Sequence, residues 1–262
     1  MIISTNGSGL GNRIKALVSC MRLSDNVGVY WIKNRDLCCN FGDLFLNDIE
    51  VGSVPPGTAT YCSWRLAVLP EDNIPEDFTR ASRVKSDGGH FSFTDPCGRN
   101  IDIEYNRIPQ SVRETYCKYF QQLQIQPDIL QEVEAFSRNF DENTVSIHVR
   151  SWADDDERNG AFHRVESFIK EAKKFDKRTS FYLTSDSDYV KEKFIEAFGE
   201  RVMIYDRKTS IKNSRLNPAG IKEDFIEMLL LSKNSYIIGT YLSTYTEAAW
   251  WLGGATAQVV VC

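Results

Sequence analysis

Hydrophobic residues follow two different periods along this chain, and the second half alternates between them. From Thr144 onward, short β-branched or aromatic runs such as TVSIHV, SFYLTS and YIIG alternate with segments whose apolar residues have helical spacing. The predicted strands cover residues 144–149, 180–185, 202–205, 236–239 and 257–261, and the predicted helices cover 164–175, 188–198, 223–231 and 245–251. Strands that alternate with helices of this length pair in parallel through right-handed crossovers. The second half is therefore predicted to be an α/β lobe.

The first half begins with one similar unit and then loses its periodicity. A short strand at residues 2–5, a glycine-rich turn, a helix at 12–23 and a strand at 27–32 form a β-loop-α-β unit. Repeated prolines and weak periodicity follow up to Arg107, and two helices are predicted at 111–123 and 128–140. We expect two α/β lobes, at residues 1–140 and 141–262, of which the first is smaller and less regular.

Composition narrows the class of protein. The 262 residues have a net charge of -5, so the phosphate backbone of a nucleic acid is not an expected partner. The seven cysteines are odd in number and form no CxxC pair, which favours reduced thiols in a cytoplasmic protein. The start MIISTNGSGLGNR lacks the pattern of a signal peptide, and Glu247 and glycines interrupt the most apolar region, 236–262. We expect no membrane span.

The stretch NGSGLGNR places Gly7, Gly9 and Gly11 between a strand and the start of a helix. Glycine allows a ligand to approach the backbone, and a helix N-terminus offers unpaired N–H groups with a partial positive charge. The spacing is neither GxGxxG nor a P-loop, because no GK[ST] follows. The stretch is either a tight βα turn or a turn that faces a ligand.

His148 and Arg150 lie on the same face of the strand in SIHVR, and Arg150 marks its carboxyl end. Open α/β sheets bind ligands at this edge, and an arginine there can hold a phosphate through two parallel hydrogen bonds. The alternative is an arginine paired with a neighbouring carboxylate beside a buried histidine. The sequence leaves both interpretations open.

Four consecutive acids, Asp154, Asp155, Asp156 and Glu157, follow Arg150 within a few residues. An acidic loop is usually a solvated surface, but one carboxylate close to a substrate hydroxyl can act as a general base. The same acids could instead bind Mg²⁺ together with Asp186 and Asp188 of TSDSD. Both chemistries remain possible at this point.

A loop rich in hydroxyl groups precedes the last predicted helix, in GTYLSTYTEAAWW. Thr240, Ser243 and Thr244 supply these hydroxyls, and Thr244 with Glu247 three residues later predicts a capping box. The same helix N-terminus could accept a phosphate.

Together, GSGLGNR, IHVR with its acids and AFH, FYLTSD, and LLLSKNSYIIGTYLSTYTEAAW resemble the α1,6-fucosyltransferases and nodulation fucosyltransferases, relatives of the protein O-fucosyltransferases. The similarity is strongest from residue 144 to 251, and before that it depends on the glycine turn. It implies a GT-B-like pair of Rossmann-type lobes, with GDP-fucose as the donor substrate held mainly by the second lobe. It also implies inversion at the sugar, with no metal and no other cofactor.

The resemblance assigns roles to particular residues. It implies that Arg150 holds the donor diphosphate with His148 as its motif partner, and that Asp186 binds the nucleotide while Glu227 stands where the family has an aspartate. The remaining donor-site residues that it implies are Gly9, Gly11, Asn12 and Arg13 in the first lobe and Ser243 and Thr244 in the second. The family's catalytic base lies between HVR and AFH, where this loop is one residue longer, so the resemblance implies Asp156, Glu157 or, with a shift of register, another acid of the loop as the base.

The sequence thus predicts an inverting glycosyltransferase that transfers fucose from GDP-fucose to a sugar or glycan hydroxyl. Its chemistry needs a cation for the leaving diphosphate and a base for the acceptor, and Arg150 and the acidic loop supply these two groups. Two alternatives remain: a metal-dependent phosphohydrolase that uses the strand-end aspartates, and a non-catalytic nucleotide-sugar-binding relative.

Overall fold

The structure is a computed structural model, and it describes residues 1–62, 66–67, 93–94, 105, 108–151, 165–240 and 243–262. Two parallel sheets, each covered by helices, organise these residues. Strands and helices are numbered below in chain order.

The N-terminal lobe contains a four-stranded parallel sheet in the order β3-β2-β1-β4. Its strands are β1 (Ile2–Ser4), β2 (Val27–Tyr30), β3 (Glu50–Val51) and β4 (Ala59–Tyr61). Two further short strands pair in parallel, β5 (Leu66–Ala67) and β6 (Phe93–Thr94). The helices are α1 (Leu10–Leu23), α2 (Gln110–Phe120) and α3 (Pro127–Ser137), with a 3₁₀ turn at Phe41–Asp43.

The C-terminal lobe contains a five-stranded parallel sheet in the order β11-β10-β7-β8-β9. Its strands are β7 (Val145–Val149), β8 (Phe181–Ser185), β9 (Val202–Met203), β10 (Tyr236–Gly239) and β11 (Gln258–Val261). Its helices are α4 (Val165–Ala172), α5 (Asp188–Phe198), α6 (Pro218–Leu231) and α7 (Thr244–Leu252), with 3₁₀ turns at Gly199–Arg201 and Ile211–Leu216. The strand order is that of a doubly wound Rossmann sheet, and its direction of winding reverses between β7 and β10.

The predicted α/β class with two Rossmann-type lobes is confirmed, and the element boundaries differ in places. Helix α6 begins at Pro218, five residues before its predicted start, because Asn217 accepts a hydrogen bond from the Gly220 amide at 2.8 Å and proline suits the first helical position. Strand β9 has only two residues instead of four. The lobe boundary at residue 140 stays a proposal.

One hydrophobic core cluster extends across both lobes, and a second, smaller cluster lies within the C-terminal lobe. Trp251 of α7 stacks on Phe120 of α2 with ring centroids 5.7 Å apart, and Trp250 contacts Tyr105 edge-on at 4.9 Å. Aromatic side chains of this size bury large apolar areas, so they contribute strongly to the association of the two lobes. The lobes are therefore packed together as one folding unit rather than linked by a flexible segment.

Two further findings concern the described residues alone. Their cysteines are all free thiols, at positions 20, 38, 39, 62, 117 and 262. None of their helices has the length and apolar character needed to cross a bilayer.

Because the core is shared, we expect Trp251→Ala to destabilise the whole chain by about 3–5 kcal/mol. Unfolding in urea should remain a single transition, followed equally by far-ultraviolet circular dichroism and by tryptophan fluorescence. Leu216→Ala, at a position 57% exposed, should change the free energy of unfolding by less than about 0.5 kcal/mol. Two separate transitions in the Trp251 variant would contradict a shared core.

Candidate functional site

The candidate site lies where the winding of the C-terminal sheet reverses. The carboxyl ends of β7 and β10 are neighbours, and the chain leaves them in opposite directions to form a crevice. Arg150 follows β7 and Thr240 follows β10, while Asp186 follows β8 on the other side of β7.

Thr240 joins the two strands beyond their last backbone pair. Its hydroxyl donates a hydrogen bond to the carbonyl of His148 and accepts one from the amide of Arg150, each at 2.8 Å. The side chain is buried, so this bridge replaces a sheet hydrogen bond where the strands begin to separate. It fixes the backbone from which the Arg150 side chain extends.

Asp186 holds both the side chain of Arg150 and the start of the following loop. One carboxylate oxygen forms an ion pair with Nη1 of Arg150, and the other accepts a hydrogen bond of 2.7 Å from the Ser151 amide. Each side chain of the pair is 24% exposed, so the guanidinium lies at the edge of the crevice. A guanidinium has five N–H donors, and one carboxylate does not use all of that capacity.

His148 connects β7 to the N-terminal turn of α7. Its Nδ1 shares a hydrogen bond of 2.8 Å with the Thr246 hydroxyl, and its ring stacks on Tyr245 with centroids 4.7 Å apart. Because the imidazole is buried, His148 influences the crevice indirectly, by fixing the position of the N-terminal end of α7. Gly239 allows this close packing, because a Cβ there would lie 2.4 Å from Thr246 Cγ2.

The predicted capping box of α7 is wrong. Ser243 is the N-cap residue, Thr244 is the first residue of the helix, and the Ser243 side chain makes no capping hydrogen bond. Glu247 instead forms a buried ion pair with Lys15 of α1, with Nζ and Oε2 2.5 Å apart and both side chains 0% exposed. The reason is tertiary, since a buried ammonium outweighs a local backbone amide as partner for a carboxylate.

The glycine turn has an open face and a packed face. A Cβ on Gly9 would have no heavy atom within 4 Å, whereas one on Gly11 would lie 2.5 Å from the carbonyl oxygen of Thr244. Gly11 thus permits direct contact between α1 and α7, and Gly9 lies where a ligand could approach the backbone. Asn12 is partly buried, and its Oδ1 has no hydrogen-bond partner.

Arg13 braces the glycine turn from inside the N-terminal lobe. Its guanidinium donates to the carbonyls of Ser8 at 2.5 Å, Ile32 at 2.5 Å and Gly7 at 3.0 Å, and to the Asn34 side chain at 3.2 Å. The side chain is 1% exposed, and its burial lowers the pKa of Arg13 to about 10. Arg13 can therefore affect a ligand only through the turn that it holds.

Helices α1 and α7 run side by side in the same direction. Gly11 meets Thr244 at their N-terminal ends, and Lys15 meets Glu247 about one turn later. At the other end, Tyr116 of α2 contacts both helices, because it lies under the Arg22 guanidinium of α1 and beside Trp251 of α7. The two partly positive N-termini are thus adjacent, and they face the same edge of the crevice.

Glu227 lies in the middle of α6. It is 3% exposed and forms an ion pair with Arg207, which also contacts Asp224 and Glu223. Burial raises the pKa of Glu227 to about 7 although the Arg207 charge opposes this change. This arrangement ties the segment after β9 to α6.

The proposed bases, Asp156 and Glu157, and the other loop acids lie outside the described residues. Among the residues that the structure describes, no group of three or more His, Cys, Asp or Glu side chains could hold a metal ion.

Two residues of the helix contact were not predicted as site residues. Lys15 lies between Ile14 and Ala16, and Gly11 and Ser19 flank it one turn away on the same helical face. A lysine flanked by small residues on the apolar face of a helix indicates a closely packed neighbour of opposite charge. Glu247, which lies among Ala248, Ala249 and two tryptophans, has the same pattern and is the residue that pairs with it.

The two facing lobes, each with a parallel Rossmann-type sheet, define a GT-B fold. No family model matches the sequence, and no curated protein is significantly similar to it. Among solved structures, the chain is similar to NodZ α-1,6-fucosyltransferase co-crystallised with GDP, with a TM-score of 0.56 and 17% identity over 95% of this chain and 90% of that one. The structure of NodZ from Bradyrhizobium gives 0.55 and 18% identity over 95% and 91%.

A mutant of Arabidopsis thaliana FUT1 in complex with GDP has a TM-score of 0.54 and 15% identity, over 99% of this chain and 69% of that one. Identities this low show a shared fold. The resemblance to fucosyltransferases that the sequence motifs indicate is confirmed at that level.

The two glycines provide a matched pair of substitutions. We expect Gly11→Ala to lower the melting temperature, because the new methyl group would overlap the Thr244 backbone and outweigh the roughly 0.5–1 kcal/mol by which alanine favours a helix. Gly9→Ala should leave the melting temperature nearly unchanged, since its Cβ meets open space. Differential scanning calorimetry on both variants measures this, and equal melting temperatures would show that α1 and α7 are not in contact at Gly11.

Proposed function

We propose that the chain is a metal-independent, inverting glycosyltransferase that transfers fucose from GDP-fucose to a sugar or glycan hydroxyl. The proposal is supported by the GT-B fold and by the names of its structural neighbours, which are fucosyltransferases crystallised with GDP in two cases. The observation that carries it is the convergence of Arg150 and two helix N-termini at the crevice between β7 and β10.

The leaving group decides what the site must provide. Cleavage of the sugar–phosphate bond leaves negative charge on a diphosphate, and a positioned cation and backbone N–H groups stabilise that charge in the transition state. We assign the cation to Arg150, oriented by Asp186 and by the Thr240 bridge to its amide. We assign the N–H groups to the first turns of α7, at Thr244, and of α1, next to Gly9. The Ser243 amide already donates to the Thr240 carbonyl at 3.2 Å, so Ser243 would offer its hydroxyl.

The residues predicted to bind substrate separate into two groups on this proposal. Gly9, Asn12, Arg150, Ser243 and Thr244 would contact the donor. The others position these residues from within the fold: Gly11, Arg13, His148, Asp186 and Glu227. Glu227 would act through its buried ion pair with Arg207, which lies between β9 and α6.

The acceptor hydroxyl must lose a proton as the sugar is transferred. We assign this step to a carboxylate of the loop that follows Arg150, either Asp156 or Glu157. Asp186 holds the first amide of that loop, so the base and the phosphate-binding cation share one anchor. Attack by the hydroxyl on the face opposite the diphosphate then inverts the anomeric carbon.

The donor site is tested by nucleotide binding without added metal. We expect GDP to raise the melting temperature of the chain, and Arg150→Ala to weaken GDP binding about 10- to 100-fold through loss of a charge-assisted hydrogen bond. Arg178→Ala is the matched control, because that side chain is 90% exposed and pairs with the exposed Asp176. Isothermal titration calorimetry gives the affinities, and equal GDP affinities for Arg150→Ala and wild type would exclude the proposed site.

The base is tested by turnover. We expect one of Asp156→Asn and Glu157→Gln to lower the rate of fucose transfer about 10²- to 10⁴-fold while GDP affinity is retained. The assay uses GDP-fucose, a panel of sugar acceptors and excess EDTA, with GDP release as the readout. Full rates in both variants would show that the base lies elsewhere.

The two alternatives are separated by repeating the assay with Mg²⁺ in place of EDTA and with inorganic phosphate as a second readout. Phosphate release that needs Mg²⁺ would favour a phosphohydrolase, and GDP binding without turnover of any donor would favour a non-catalytic relative.

A further inference from the structure

We propose that the buried pair of Lys15 and Glu247 positions the donor site by holding the N-terminal ends of α1 and α7 in one fixed register. The inference depends on the proposed function, since it concerns affinity for a nucleotide diphosphate. It assigns a positioning role to two residues that touch neither the crevice nor a ligand.

The arrangement of the two helices has an electrostatic cost. Each helix N-terminus carries a partial charge of about +0.5, and α1 and α7 bring two such ends together at Gly11 and Thr244. Like charges at this separation repel each other. The arrangement therefore needs either an attraction that holds the helices together or an anion that lies between the two ends.

The ion pair between Lys15 and Glu247 supplies an attraction with a fixed direction. Lys15 Nζ lies 2.5 Å from Glu247 Oε2, and the other oxygen, Oε1, accepts a hydrogen bond of 3.3 Å from Trp251 Nε1. Both side chains are fully buried, and Trp251 is itself fixed against Phe120. An ion pair with a fixed hydrogen-bonding direction resists sliding of one helix along the other more than an apolar contact of the same volume does.

Stability alone does not account for a buried ion pair at this position. A buried ion pair is often no more stabilising than well-packed hydrophobic residues, because both charges lose their hydration. Its distinctive contribution is geometric specificity. The geometry in question is the spacing of the two helix ends next to Arg150. The affinity for a diphosphate would depend on this spacing.

The experiment compares single and double variants. Lys15→Met and Glu247→Met each leave one buried charge without its partner, so both should lower the melting temperature. The double variant Lys15→Met/Glu247→Met should recover most of the melting temperature but bind GDP about tenfold more weakly than wild type. Lys222→Met is the matched control, because Lys222 forms the exposed ion pair with Asp128 between α6 and α3.

A pH series gives a readout that a purely structural role would not produce. Burial raises the pKa of Glu247 to about 7, against the opposing effects of Lys15 on α1 and of Trp251, and Tyr105 is the other titratable group near it. Glu247 is therefore charged above pH 7 and becomes neutral below it, and the ion pair is lost with it. The ratio of GDP affinities between wild type and the double variant should be largest at pH 8 and decrease at pH 6. Ionisation of GDP itself cancels in this ratio.

The outcomes separate the two proposals. If the double variant binds GDP as tightly as wild type at pH 8, the pair is only structural and the inference is wrong. If wild-type protein binds no GDP, the proposed function fails, and hydrogen exchange decides the inference. Faster exchange confined to the amides of residues 10–13 and 244–247 in the double variant would support the positioning role, and unchanged exchange there would overturn it.

Discussion

The contact between α1 and α7 is the constraint on which the rest of the structure depends. Two helices from different lobes lie in parallel, so close that Gly11 has no room for a side chain opposite Thr244. The buried pair of Lys15 and Glu247 lies one turn further along and opposes the repulsion of the two helix ends. Without this contact, the glycine turn of one lobe and the hydroxyl loop of the other would not face a common crevice.

Short polar contacts transmit that geometry to the sheet. His148 fixes α7 to β7, Thr240 fixes the end of β10 to the backbone of Arg150, and Asp186 fixes the Arg150 side chain from β8. These links join the carboxyl ends of three neighbouring strands and one helix end. These contacts preorganise the base of the candidate site.

The shared aromatic core explains why a short chain can keep a two-lobed fold. Tryptophans of α7 pack on aromatic residues of the N-terminal lobe, and Phe45 contacts Phe225 with ring centroids 5.3 Å apart. The physical consequence is that packing between the lobes sets the spacing across the crevice.

The sequence by itself determined the elements and the fold class, because strand and helix periods are local properties of the chain. The Rossmann winding follows from alternating strands and helices, and the short motifs led to the fucosyltransferase fold, which the structure confirms. The strand-end positions of Arg150, Asp186 and Thr240 follow from the same periodicity.

Only the tertiary structure decided what these and other polar residues contact. Glu247 pairs with a lysine 232 residues away instead of forming a local cap. Arg13 is enclosed by the turn, where a ligand contact was expected, and Glu227 is buried against Arg207. A buried charge takes the partner that lowers its desolvation cost most, and that partner is set by packing between elements, which no local pattern contains.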